Sequence, residues 1–67
     1  MSSRKWRAEA DRHVLAEGPY RATIKRPGYT YTWLVDGPRG VVAEGRADDL
    51  SGAKRAAEAT ISDELNG

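Results

Sequence analysis

The sequence contains no cysteine, which excludes a disulfide bond and any zinc site built from thiolates. It contains a single histidine, His13, and the scattered acidic residues do not replace the missing ligands. No apolar run approaches the roughly 20 residues of a membrane span, and the N-terminus lacks the apolar region of a signal peptide. We therefore expect a cytoplasmic protein with no metal, no cofactor and no membrane contact.

The chain is also short. Its 67 residues make at most one domain, which we place over residues 1–67. A domain of this size buries only about 60% of the surface that its unfolded chain exposes. Since neither a disulfide nor a metal adds stability, the fold depends on a compact core, on a partner or on self-association.

The net charge of +1 hides an asymmetry between the two halves. Residues 1–33 carry seven basic and three acidic side chains, whereas residues 34–67 carry four basic and seven acidic ones. Such an asymmetry can mark a surface that faces a polyanion, and a solvated surface with sorted charges explains it equally well. Arginine outnumbers lysine and alanine is abundant, a composition common in GC-rich bacteria and their phages, so we expect a bacterial or phage source.

Residues 29–47 form the central pattern of the chain. An arm that alternates aromatic residues and threonine leads into a cluster of turn residues at 36–40, and a second β-rich arm follows. Residues 20–26 alternate in the same way and end at the turn signal Pro27-Gly28. We predict three antiparallel strands, at about 20–26, 29–35 and 41–47. Burial of the aromatic face removes the most apolar area from water, so we expect these residues on the inner face: Tyr20, Ala22, Ile24, Tyr29, Tyr31, Trp33, Val35, Val41, Ala43, Gly45 and Ala47.

Helices are predicted at both ends of the chain. Asp48 or Asp49 can cap a helix over about 50–65, in which Leu50, Ala53, Ala57, Thr60, Ile61 and Leu65 form one apolar stripe. Residues 4–17 are rich in helix formers and end at Gly18-Pro19, a helix stop signal, although Trp6, Ala8 and Ala10 also alternate as in a strand. The predicted fold is α+β, with the order α-β-β-β-α and helices packed on one face of a three-stranded antiparallel sheet.

Catalytic signals are close to absent, so we expect no enzyme. The one plausible acidic partner of His13 within a helical turn is Glu9 or Glu17. The pair Asp48-Asp49 is explained by helix capping, and Ser51 has neither a nearby base nor the pattern of a nucleophile elbow.

The predicted outer face of the sheet is the candidate binding surface. Arginine and lysine among hydroxyl groups suit contacts to phosphates, and arginine also suits guanine edges in a major groove that a twisted sheet can enter. Glu44, Leu34 and Val42 fall on the same face and fit a protein partner or ordinary solvent exposure. The candidate nucleic-acid-binding residues are Arg21, Thr23, Lys25, Thr30, Thr32 and Arg46, with Arg4, Lys5 and Arg7 adding phosphate contacts.

Two segments carry a family resemblance. Tyr31–Val35 and Gly45–Ala57 together resemble the N-terminal arm-site DNA-binding domain of phage-type tyrosine recombinases, a three-stranded sheet followed by a helix; the likeness covers roughly residues 20–65. This resemblance implies that the sheet reads DNA. The order α-β-β-β-α is also similar to the double-stranded-RNA-binding domain, with Ala53-Lys54 and Ala57 over part of its second-helix motif. Leu50 and Ser51 stand where that family has a lysine pair.

The sequence therefore predicts a small nucleic-acid-binding or accessory protein, for DNA ahead of RNA. The alternative prediction is a protein-interaction module, either a homodimer that buries Leu34, Val42 or an edge strand, or an inhibitor of a host factor.

Overall fold

The computed structural model describes residues 6–67. Within these residues, five strands form one antiparallel sheet in which every strand pairs with its neighbours along the chain, and a single helix follows. The strands are β1 (Arg7–Glu9), β2 (Arg12–Glu17), β3 (Tyr20–Lys25), β4 (Tyr31–Gly37) and β5 (Gly40–Ala47), and the helix is α1 (Leu50–Asn66).

The predicted helix over residues 4–17 is wrong, and with it the order α-β-β-β-α and the three-stranded sheet. Arg4 and Lys5 lie outside the described residues, and the rest of the segment forms the hairpin of β1 and β2. A strand places Trp6 and Leu15 on the same face of the sheet, where Leu15 is 3% exposed and the Trp6 ring packs against the core. The alternation of apolar residues therefore decided the structure, against a helix-forming composition.

The Gly18-Pro19 pair makes a hairpin turn instead of ending a helix. Gly18 has φ +59, and Glu17 pairs with Tyr20 across a two-residue loop. Glycine at the first loop position and the fixed φ of proline at the second suit a type II′ turn, whose twist matches that of antiparallel strands. The same two residues thus serve as a strong signal for either structure.

The core lies between the sheet and α1. The strands β3, β4 and β5 begin and end within two residues of the predicted ranges. Register aligns Leu15, Ala22, Val35 and Ala43 across four strands, so these residues share the face that α1 covers. The core cluster consists of Leu15, Ala22, Val35, Ala57 and Ile61, with Trp6, Tyr20 and Trp33 packed against it.

A β-bulge in β5 exchanges the predicted faces of two valines. The register shifts between Val35 and Asp36, so that Val41 pairs with Asp36 while Ala43 pairs with Val35. Val42 is the extra residue, and it lines a small cavity on the helix side together with Tyr20 and the helical Glu64. Val41, which was predicted inside, is 58% exposed. Both assignments were wrong because a bulge shifts side-chain alternation by one residue.

The helix α1 begins as predicted, with Asp49 as its cap. The Asp49 side chain accepts a hydrogen bond from the backbone N–H of Gly52 at 2.7 Å. Ala53, Ala57 and Ile61 are fully buried at helical spacing, and the two alanines let the helix approach the sheet closely. Among the described residues, no helix has the length and apolar content that crossing a membrane requires.

Two tryptophans fix the edges of this packing. A Cβ on Gly45 would lie 2.8 Å from the Trp33 ring, so the ring occupies the space that a side chain at this position would need. Toward the other edge of the sheet, on the same face, the indole N–H of Trp6 donates a hydrogen bond to Oε2 of Glu58 in α1 at 2.7 Å. The Lys54 ammonium lies 5.9 Å from the centroid of the same ring.

Candidate nucleic-acid interface

The face of the sheet turned away from α1 is here called the open face. Strand pairing arranges its side chains in cross-strand rows. The central row crosses all five strands, and a second row runs parallel to it near the end of the sheet where α1 begins. The central row is Arg7, Val14, Thr23, Leu34 and Glu44; the second row is Glu9, Arg12, Lys25, Thr32 and Arg46.

The second row, which we name the basic row, concentrates positive charge. Arg12 pairs directly with Lys25 across β2 and β3, and Thr32 separates Lys25 from Arg46. Like charges directly opposite each other destabilise a pair of strands. Arg12 is partly compensated by Asp11, at 3.6 Å, and by Glu9, which stands opposite it in β1, whereas among residues 6–67 no carboxylate forms an ion pair with Lys25 or Arg46. An anion bound along this row would relieve that repulsion.

Acidic residues of the open face lie mainly outside the basic row. Asp36 stands opposite Arg21 in the row beyond the central one, and Glu44 ends the central row at the edge strand β5. Counting both rows together with Arg21 and Asp36, the open face holds five basic and three acidic residues. The excess of positive charge is therefore modest over the whole face and is concentrated near Arg12, Lys25 and Arg46.

The open face holds a cavity. A cavity of about 610 Å³ lies over β2 to β5, with a floor formed by Thr23, Thr32 and Leu34, all half-buried. Basic side chains surround this floor on several sides. The residues that line the cavity are Arg12, Arg21, Thr23, Lys25, Thr32, Trp33, Leu34, Asp36, Glu44, Gly45 and Arg46.

Five of the predicted site residues therefore lie together at this concavity: Arg21, Thr23, Lys25, Thr32 and Arg46. Arg7 lies on the same face, in β1 beyond the cavity, and Arg4 and Lys5 fall outside the described residues. Thr30 does not belong to the face, because β4 begins one residue later, at Tyr31, and Thr30 lies in the preceding connection.

Sequence reasoning missed three further residues near the basic row. Arg12 was assigned to a helix, and only the β2–β3 pairing places it beside Lys25. Tyr29 was expected inside but is 92% exposed in the connection between β3 and β4. In the same connection, Arg26 donates from Nε to the carbonyl of Gly28 at 3.1 Å, and its guanidinium lies 5.5 Å from the centroid of the Tyr31 ring. The alternating pattern gave no signal that β4 starts after Tyr29.

Among residues 6–67, no three potential ligands from histidine and the carboxylates are grouped so that they could hold a metal ion. His13 lies on the helix-side face, opposite Ile24, and lines a cavity of about 250 Å³ beside Arg12 and Tyr31.

Comparison with protein-family models, with curated proteins and with solved structures found no match to this chain.

Proposed function

We propose that the open face binds the phosphate backbone of a nucleic acid, DNA ahead of RNA, as a small accessory protein of bacterial or phage type. The observation that carries the proposal is the basic row, in which Arg12 and Lys25 stand side by side and neither Lys25 nor Arg46 has an acidic partner among the described residues. Repulsion between such neighbours is a cost to the fold that a bound polyanion offsets.

The width of the sheet determines how the nucleic acid is placed. Strands lie about 4.8 Å apart, so five of them span about 19 Å. A major groove is only about 12 Å wide, so the expectation that the sheet enters a groove does not suit a sheet of five strands. The cavity over β2 to β5 instead suits a backbone that runs across the strands, with phosphates held by the basic row and hydroxyl contacts from Thr23 and Thr32.

RNA is the less favoured ligand for two reasons. The likeness to the double-stranded-RNA-binding domain depended on the order α-β-β-β-α, which the chain does not have. In addition, Leu50 and Ser51 open α1 where that domain has lysines, and Asp48 and Asp49 precede them, so the N-terminus of α1 repels phosphates.

A matched pair of double variants tests the proposal. Lys25→Ala/Arg46→Ala removes two cations from the basic row, whereas Arg39→Ala/Arg55→Ala removes two exposed cations from the β4–β5 turn and from α1. Binding of a fluorescently labelled 20-mer is measured between 50 and 200 mM salt, with duplex and with single-stranded DNA. Each lost phosphate contact lowers the slope of log K against log salt by about 0.9 for duplex and about 0.7 for single strands.

We expect the basic-row variant to lose about 1.8 units of slope on duplex, or about 1.4 on single strands, while the control variant keeps the wild-type slope. Equal affinity and slope in the wild type and in the basic-row variant would refute the proposal. An equal loss in both double variants would also refute it, because it would show attraction by overall charge without a defined surface.

The alternative function, docking of a protein, is favoured by the apolar side chains in the central row. Val14 and Leu34 are half-buried on the open face without any element of residues 6–67 covering that face. Leu34→Lys separates the two functions, because an added cation strengthens binding of DNA and disrupts an apolar contact. Unchanged binding of DNA by this variant, with the fold intact, would mean that DNA does not contact the central row and would favour the protein partner.

A further inference from the structure

The edge strand β5 is a candidate surface for self-association. The two edges of the sheet differ in length, because β1 has three residues and β5 has eight. An edge strand presents unpaired backbone N–H and C=O groups that can pair with another chain, and a short edge limits such pairing. The β-bulge at Val41 and Val42 interrupts the first part of β5, so its regular stretch is residues 43–47.

We propose that the protein forms a homodimer in which β5 pairs antiparallel with β5 of a second copy, centred on Gly45. Glu44 and Arg46 lie on the open face on either side of Gly45. With Gly45 opposite Gly45 of the second copy, each Glu44 faces Arg46 of the second copy, and the pairing contains two opposite-charge contacts. Opposite charges that face each other across strands are favourable.

The charges select this register over its neighbours. A shift that places Glu44 opposite Glu44 of the second copy, or Arg46 opposite Arg46, brings like charges together, which is unfavourable. The remaining residues of the stretch fit the Gly45 register, since Ala43 faces Ala47 of the second copy and both side chains are small. Glu44 and Arg46 therefore disfavour pairing of this edge in other registers and favour it in the register centred on Gly45.

The helices leave room for this arrangement. The two-fold axis is perpendicular to the sheet, so both copies place α1 on the same side and the open face on the other. The helix packs chiefly against β4, and the two β4 strands are three strand intervals apart, about 14 Å. Packed helices approach to about 8–10 Å, so two helices centred over the β4 strands have room beside each other. The two open faces become one ten-stranded surface in which Glu44 is neutralised.

Charge exchange provides the test, and it is carried out without nucleic acid so that its outcome is independent of the proposed function. Sedimentation equilibrium over a range of concentrations is measured for the wild type, Glu44→Arg, Arg46→Glu, and the double exchange Glu44→Arg/Arg46→Glu. Glu64→Arg, which makes the same charge change at an exposed position of α1, is the control. Circular dichroism confirms that each variant is folded.

We expect the wild type, the control and the double exchange to dimerise. Each single variant replaces attraction by repulsion at both contacts, and its dissociation constant should rise about tenfold or more. An equimolar mixture of the two single variants should form a heterodimer, because its charges are again opposite. A wild type that stays monomeric at every concentration would overturn the proposal, as would single variants that dimerise like the wild type.

Discussion

The contact between Trp6 and Glu58 gives the sharpest stability prediction, because it joins the N-terminal hairpin to α1. The indole N–H donates to the Glu58 carboxylate at 2.7 Å, and both residues are half-buried. A hydrogen bond to a charged group contributes about 1.5–3 kcal/mol, and partial exposure to water reduces this contribution, so we expect Glu58→Ala to cost about 1–2 kcal/mol. That loss is a large share of the stability of so small a domain.

Thermal and urea unfolding followed by far-UV circular dichroism measures the loss. For a domain of this size, each 1 kcal/mol lowers Tm by about 4–8 °C, so a decrease on the order of 10 °C is expected. Glu58→Gln keeps an acceptor oxygen and should retain part of the stability. Glu64→Ala removes an exposed glutamate from the last turns of the same helix and should change little. If Glu58→Ala has the same Tm and urea midpoint as Glu64→Ala, the contact does not hold the hairpin against the helix.

Three further predictions concern glycine and loop positions. Gly45→Ala places a methyl group 2.8 Å from the Trp33 ring, and displacing that ring should cost about 1–3 kcal/mol in urea unfolding; an unchanged midpoint would mean that the ring does not lie there. Ala10 has φ +29 in the β1–β2 turn, and this backbone region costs residues with a Cβ about 1–2 kcal/mol. Ala10→Gly should therefore raise Tm, and a lower Tm would argue against this turn. Tyr29 is 92% exposed beside the basic row, so Tyr29→Ala should leave stability unchanged. If the ring stacks on a base, the variant should bind single-stranded DNA more weakly by about 1–3 kcal/mol; equal affinities would exclude stacking.

The C-terminal half of the fold was predictable because several local signals agree there. Asp49 caps α1, Ala53, Ala57 and Ile61 follow at helical spacing, and the turn residues between β4 and β5 have no competing interpretation. Leu65 was placed on the same stripe but is 47% exposed, near Gly18 of the β2–β3 turn. Where local signals agree in this way, the secondary structure can be predicted from the sequence.

The N-terminal half was not predictable because its signals conflict. Residues 7–17 have the composition of a helix, and Gly18-Pro19 suits both a helix stop and a type II′ turn. What decides between them is tertiary: β2 pairs with β3, and Leu15 thereby enters the core. The sequence alone does not give the free energy that this pairing and the burial of Leu15 contribute.

The candidate site was predictable for β3 and β4, where alternation is regular, and failed wherever alternation is interrupted. Thr30 precedes the start of β4, and the β-bulge exchanges the faces of Val41 and Val42. Arg12 joined the site only through strand pairing, which depends on register between distant residues. Side-chain alternation therefore identifies a surface only as far as a strand remains regular.

Methyl-resolved NMR titration with DNA tests the central claim, that the face turned away from α1 is the binding surface. Thr23 and Leu34 have methyl groups on the open face, whereas Ile24 and Ile61 are fully buried on the helix side. Added DNA should shift the signals of Thr23 and Leu34 and leave those of Ile24 and Ile61 in place. Shifts confined to α1 or to the helix side, with Thr23 and Leu34 unaffected, would contradict the claim.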